Sequence, residues 1–191
     1  MVAIAAAAAL TAQPSTAQVL LHQGEANDTV KGMSWWEIPY RTVIRQQYDF
    51  SCGSAAVATL LTYSYGRPTP EHVTFAAMWK NGDQKAIRKL GFSMLDMKGY
   101  FRSVGYHAEG YRLGAKDLVK LKRPAIVLLN LHGFKHFVVV KGVQNGRVLV
   151  GDSMLGLTDY SLEDFLKVWN GIALMIVPGG PTPSFNLASD W

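Results

Sequence analysis

The chain of 191 residues is long enough for one domain with short terminal extensions, and such a domain needs no metal ion or disulfide to stabilise its core. Its apolar fraction of 49% and charged fraction of 17% are typical of a globular protein. The net charge of +5 comes from scattered Lys and Arg residues that form no basic run, so nucleic acid is not an expected partner.

The N-terminus has the pattern of an export signal, which we assign to residues 1–17. An apolar, Ala-rich run is followed by small residues at Ser15 and Ala17, as at a signal-peptidase site. No basic residue precedes Lys31, so an upstream start site and a simple Ala-rich tail remain alternatives. No apolar run reaches the roughly 18 residues of a membrane span. We therefore expect a periplasmic or secreted protein, with residues 18–37 as a lead-in segment.

The single cysteine, Cys52, lies where a helix is predicted to begin. The β-branched, extended segment Ile38–Arg45 precedes it, and the apolar helical run Ala55–Leu61 follows it. A helix N-terminus favours the thiolate, which is the nucleophilic form of cysteine. Gly53 is interpreted as leaving room for a substrate backbone. The alternative is an inert thiol buried in the core.

The rest of the chain predicts helices first and strands second. The helices are expected over residues 70–79, from a Ser93 cap onward, near 116–121 and after a Ser161 cap. The strands are expected over 125–131, 136–143, 147–152 and 172–177. Helices packed on an antiparallel sheet make an α+β fold. We assign this domain to residues 38–177 and expect 178–191 to be a flexible tail.

A predicted hairpin brings a histidine and an aspartate together. His136 opens one strand, Asp152 ends the next, and Asn145-Gly146 between them is typical of a type I′ turn. Simple pairing about this turn places His136 opposite Leu155, so Asp152 reaches the ring only after a bulge or bend. Imidazole is the usual general base near neutral pH. The alternatives are a structural histidine in the core and an ordinary aspartate in a turn.

Two further polar positions bear on the chemistry. Gln46, on the segment before Cys52, could donate a hydrogen bond to an oxyanion beside the Cys52 backbone N–H, although Gln47 is adjacent. His132 lies four residues before His136, but Gly133 and the hairpin argue against a helix that would place both on one face. We therefore expect no metal ion and no cofactor.

These residues resemble the bacteriocin-processing cysteine peptidases that cleave double-glycine leaders. The resemblance is carried by the following motifs, over about residues 38–177: Gln46-x5-Cys52-Gly53, His136-Phe137-Val138-Val139, and Gly151-Asp152 with Gly156. It implies a papain-like fold and peptide-bond hydrolysis. It also implies a Cys52–His136–Asp152 triad with Gln46 as the oxyanion donor.

The chain departs from that family's pattern at several points. Ser51 replaces a common Asp, and Ser153 replaces the Pro that commonly follows the triad Asp. We expect a signal peptide before the domain and no transporter after it, which is similar to exported members that belong to functional-amyloid export systems. This similarity implies a peptide or protein substrate, such as an amyloid subunit or an export component. A non-catalytic docking domain and a papain-like amidase or acyltransferase remain alternatives.

Overall fold

The computed structural model describes residues 18–20, 29–31, 33–179 and 181–191. The chain divides into two compact units, Met1–Ile38 and Pro39–Trp191. In the first unit, strands β1 (Gln18–Leu20) and β2 (Thr29–Lys31) pair in antiparallel fashion. The predicted signal peptide, residues 1–17, lies outside the described residues.

The second unit contains six α-helices and one large sheet among its described residues. The helices are α1 (Cys52–Thr59), α2 (Glu71–Asn81), α3 (Gln84–Leu90), α4 (Met94–Ser103), α5 (Ala115–Val119) and α6 (Leu162–Val168). The strands are β3 (Ala108–Arg112), β4 (Ala125–Leu131), β5 (Phe134–Gln144), β6 (Arg147–Asp152), β7 (Gly156–Ser161) and β8 (Trp169–Ile176). A π-helical turn, Leu60–Ser64, continues α1. The prediction of an α+β fold is confirmed.

The sheet is antiparallel throughout, in the order β3-β8-β4-β5-β6-β7. Its two faces are both buried. Helix α1 packs against β5 on one face, where Val139 contributes to the core, and α6 lies against the other face, where Val138 and Val140 contribute. Burial on both faces explains why residues 137–140 of β5 are consecutively apolar rather than alternating with polar ones. Within the described residues, no helix has the length and apolarity to cross a membrane.

The β5–β6 hairpin is the element that positions the site. Asn145 and Gly146 have φ values of 50° and 73°, as a type I′ turn requires, so the predicted hairpin is confirmed. Lys141 forms a β-bulge between Val140 and Gly142, where β5 carries one more residue than β6.

Two segments differ from their predicted conformations. The segment Ile38–Arg45 was expected to be extended, but it begins with a 3₁₀ helix over Ile38–Tyr40 and continues through turns. Pro39 and the turn that follows it outweigh the β-branched composition of residues 42–44.

The C-terminal segment makes specific contacts with the domain, whereas the sequence predicts a flexible tail over residues 178–191. The Ser184 N–H donates to the Ser64 carbonyl at 2.7 Å, and the Asn186 N–H donates to the Lys141 carbonyl at 2.9 Å. The Asp190 carboxylate forms a buried ion pair with Lys141 at 2.8 Å. The Pro, Gly and Ser content of this segment suggested a linker, whereas these specific contacts with the domain order it.

Candidate active site

Helix α1 places Cys52 at its first position, as predicted. All eight residues of α1 are buried, and small side chains such as Ala55 and Ala58 allow the helix to lie deep in the domain. Before it, the Ser51 hydroxyl accepts a hydrogen bond from the Tyr48 N–H at 3.1 Å and fixes the turn that leads into the helix. The backbone N–H groups of the first helical turn have no partners within the helix. Cys52 is 8% exposed. Its sulfur therefore lies at the positive end of a buried helix.

Gly53 has a packing role. A Cβ at this position would lie 2.8 Å from Cε of Met97 and 3.0 Å from Cβ of Phe92. The space beside Gly53 is filled by these side chains, so the interpretation that it leaves room for a substrate backbone is wrong. Its missing side chain instead lets the helix that carries Cys52 approach α4.

His136 and Asp152 form a buried pair. Nε2 of His136 lies 2.9 Å from Oδ1 of Asp152, and each residue is 1% exposed. The same carboxylate oxygen accepts hydrogen bonds from the backbone N–H groups of Met154 and Leu155. The ring of Phe134 stacks on that of His136 at a centroid distance of 5.7 Å. These contacts fix the orientation of the imidazole.

The electrostatics of this pair favour the charged forms. Burial lowers the pKa of His136, but hydrogen bonds to Asp152 and Cys52 outweigh it and raise the pKa to about 9. Burial raises the pKa of Asp152, but the hydrogen bond to His136 and the backbone N–H donors outweigh it, so that the net shift is downward. Nδ1 of His136 is buried and has no hydrogen-bond partner other than the Cys52 sulfur. The arrangement can hold an imidazolium between a carboxylate and a sulfur.

Gln46 is hydrogen-bonded to Ser153, the residue that follows Asp152. Its side-chain Oε1 accepts a hydrogen bond from the Ser153 hydroxyl at 2.7 Å, and its Nε2 donates to the Tyr48 carbonyl at 2.9 Å. Its backbone N–H donates to the Ser153 carbonyl at 3.1 Å. Gln47 is exposed, whereas Gln46 is half-buried. The structure therefore distinguishes two glutamines that the sequence alone left adjacent.

A groove of about 720 Å³ opens beside Cys52. Its lining is largely apolar, with polar residues at intervals. The apolar residues include Ile87, Leu90, Phe92, Leu128, Phe137 and Ile172. Leu90, in this lining, is 78% exposed. Such a surface can accept an apolar peptide next to the thiol.

Two residues of this site, Ser153 and Phe134, are not predicted from the sequence. A third nearby residue, His132, is not expected to bind a metal ion. In the sequence, Ser153 stands out only as a departure from a motif, and the strand predicted over 136–143 starts after Phe134, whereas β5 begins at Phe134. Ser153 could have been found because it directly follows Asp152. Phe134 could have been found because it lies two positions before His136, on the same face of the strand. His132 is exposed in the β4–β5 turn, with a φ of 54°. Among the residues that the structure describes, no three His, Cys, Asp or Glu side chains are grouped as metal ligands would be.

Helices packed against an antiparallel sheet, with a thiol at a helix N-terminus beside a His–Asp pair on a hairpin, are the architecture of papain-like peptidase domains. The sequence profile described as the Peptidase C39 family matches residues 41–180. The chain belongs to this family, which confirms the resemblance found in the sequence.

Individual relatives agree with this assignment. The chain is 45% identical over 141 residues to the "Probable functional amyloid protease FapD" of Pseudomonas aeruginosa, an alignment that covers 74% of the chain and 62% of the relative. It thus spans about three-fifths of that relative's length.

Two crystal structures share the fold. A double glycine motif protease from an AMS/PCAT transporter, solved with the leader peptide, has a TM-score of 0.61 and 28% identity, covering 72% of this chain and 91% of that one. The peptidase domain of Streptococcus ComA, a bi-functional ABC transporter, has a TM-score of 0.60 and 22% identity, covering 73% of this chain and all of that one.

Proposed function

We propose that the chain is a cysteine endopeptidase with Cys52 as nucleophile, His136 as general base and acid, and Asp152 as the group that orients the imidazole. The observation that carries this proposal is the buried His136–Asp152 pair beside a thiol at a helix N-terminus. Catalysis of this kind needs a nucleophile, a base within hydrogen-bonding reach and a third group that holds the base.

The reaction follows from the charges of these groups. The Cys52 thiolate attacks the carbonyl carbon of the scissile bond, and the carbonyl oxygen becomes an oxyanion. The Cys52 N–H and Nε2 of Gln46 donate hydrogen bonds to this oxygen. As the C–N bond breaks, the leaving amine takes a proton from His136, and a thioester remains on Cys52. Water then attacks the thioester while His136 accepts its proton, which releases the acid and restores the thiolate.

We propose that the substrate is an exported protein or leader peptide of a functional-amyloid export system, cleaved in the periplasm or outside the cell. The relative named as a functional amyloid protease supports the setting. The neighbour solved with a leader peptide supports a peptide in the groove. The largely apolar groove beside Cys52 fits an apolar peptide segment.

A first experiment measures thiol reactivity. Iodoacetamide at pH 6 should alkylate Cys52 rapidly in the wild type and in His132→Ala, because the helix N-terminus and the His136 imidazole both lie at the sulfur. It should alkylate Cys52 slowly in His136→Ala. Equal rates in His136→Ala and wild type would rule out a functional Cys52–His136 pair.

A second experiment measures cleavage of a proteome-derived peptide library by mass spectrometry. Wild type should cut a defined set of bonds and Cys52→Ala none. On a peptide that is cut, Gln46→Ala should lower kcat by roughly a hundredfold or more, whereas the exposed Gln47→Ala should not. If Cys52→Ala cuts as wild type does, the proposed chemistry is wrong. If wild type cuts nothing and both proteins bind the same peptides, the chain is a docking domain.

A further inference from the structure

The residue after Asp152 makes two contacts with the candidate oxyanion donor. Ser153 is 2% exposed, and its hydroxyl donates to Oε1 of Gln46 at 2.7 Å. Its carbonyl accepts the backbone N–H of Gln46 at 3.1 Å. Ser153 therefore joins the end of the strand that carries Asp152 to the segment that leads to Cys52.

These contacts determine which end of the Gln46 amide faces which partner. The two ends of an amide have nearly the same size and shape, so hydrogen bonds decide its orientation. The Tyr48 carbonyl can only accept, so Nε2 must face it, as it does at 2.9 Å. Oε1 then needs a donor, and the Ser153 hydroxyl is that donor. One hydrogen of Nε2 is used by Tyr48, and the second is left to donate elsewhere.

The hydroxyl is the part of Ser153 that carries this function. Any residue at position 153 would keep the backbone carbonyl that accepts from Gln46, but an apolar or proline side chain would leave Oε1 without a donor. Donation to Oε1 also polarises the amide and strengthens its remaining N–H as a donor.

We propose that Ser153 is a positioning residue, which orients the Gln46 amide so that a free N–H of Nε2 is directed to the oxyanion. The inference rests on the proposed function, because it matters only if Gln46 stabilises a transition state. Ser153 makes no contact with substrate in this account. Its effect on the rate must therefore pass through Gln46 and disappear when that side chain is removed.

The test is a double-mutant cycle on the library peptide that wild type cuts fastest. Ser153→Ala should lower kcat about tenfold and leave KM unchanged, because the amide keeps its place but loses the bond that sets its orientation. Ser153→Thr, which keeps the hydroxyl, should restore most of the rate. In the Gln46→Ala background, Ser153→Ala should cause no further loss of kcat. The matched control is Ser64→Ala, at a serine that is also buried but lies at the far end of the helical segment begun by Cys52.

The outcomes separate this inference from the proposed function. Rates are expressed per reactive thiol, titrated with iodoacetamide, so that misfolded protein does not count as a loss of kcat. A tenfold loss from Ser153→Ala in both backgrounds would show that Ser153 acts independently of Gln46 and would overturn the inference. A Ser153→Ala protein as active as wild type, with Cys52→Ala inactive, would overturn the inference alone. Cleavage that does not depend on Cys52 would overturn the proposed function as well.

Discussion

The buried ion pair between Lys141 and Asp190 predicts that the C-terminal segment contributes strongly to stability. Nζ of Lys141 lies 2.8 Å from Oδ2 of Asp190, and the two side chains are 4% and 3% exposed. The Thr42 hydroxyl donates to the same carboxylate, and the Thr42 carbonyl accepts from Lys141. Asp190→Asn keeps the size of the side chain but leaves the ammonium without a counter-ion. Breaking a buried pair in this way costs about 3–5 kcal/mol of unfolding free energy.

For a chain of this size, that loss lowers the melting temperature by roughly 6–20 °C. Urea unfolding followed by circular dichroism should give the free energy, and a thermal scan should give the shift. The matched control is Glu163→Gln, which breaks an exposed pair with Lys167 and should leave the free energy of unfolding nearly unchanged. The loss in Asp190→Asn should shrink at high pH, because a neutral Lys141 needs no counter-ion. A loss below about 1 kcal/mol at neutral pH would refute the reasoning, since exposed pairs contribute that much.

Three further predictions concern the site. His136, with its pKa raised from 6.5 to about 9, should add to the unfolding free energy fully below pH 6.5 and lose this contribution as the pH rises through 9. Urea unfolding across this pH range should show this loss of unfolding free energy in the wild type. In Asp152→Asn the loss should occur at lower pH. An unfolding free energy that does not change with pH in the wild type would contradict the prediction. Asp152→Asn should also lower kcat while KM stays near the wild-type value, and unchanged kcat would mark Asp152 as structural. Gly53→Ala should cost about 1–3 kcal/mol in urea unfolding because its Cβ would contact Met97 and Phe92; a neutral substitution would show that α4 can move aside.

Local signals in the sequence predicted much of the fold. The Ser93 side chain accepts from the Asp96 N–H and caps α4, as expected, and Ser161 caps α6 in the same way. Strand β4 was predicted with its observed bounds, Ala125–Leu131. Such signals depend on neighbouring residues and are therefore visible in the chain itself.

The elements that were missed depend on contacts between distant residues. Strand β3 is an edge strand of mixed polarity, AEGYR, whose pairing with β8 no local pattern reveals. Strand β7 was not predicted, because its polar residues read as a loop after Asp152. Asp83 caps the N-terminus of α3, but this helix is not among those predicted from the sequence. The bond between Ser153 and Gln46 joins residues 107 positions apart, so sequence spacing gave no sign of it.

The bulge at Lys141 determines which face of the sheet His136 occupies. Beyond it, Val139 lies opposite Gly151, so Val138 takes the position opposite Asp152 and shares a face with His136. In a ladder without the bulge, Val139 would lie opposite Asp152, and His136, three positions away, would point to the other face. The pairing of His136 with Asp152 thus depends on the bulge together with the number of residues between it and each partner. Variants of the β5–β6 hairpin can change the identities of many side chains, but we expect the deletion or insertion of one residue between the bulge and either His136 or Asp152 to abolish the pair.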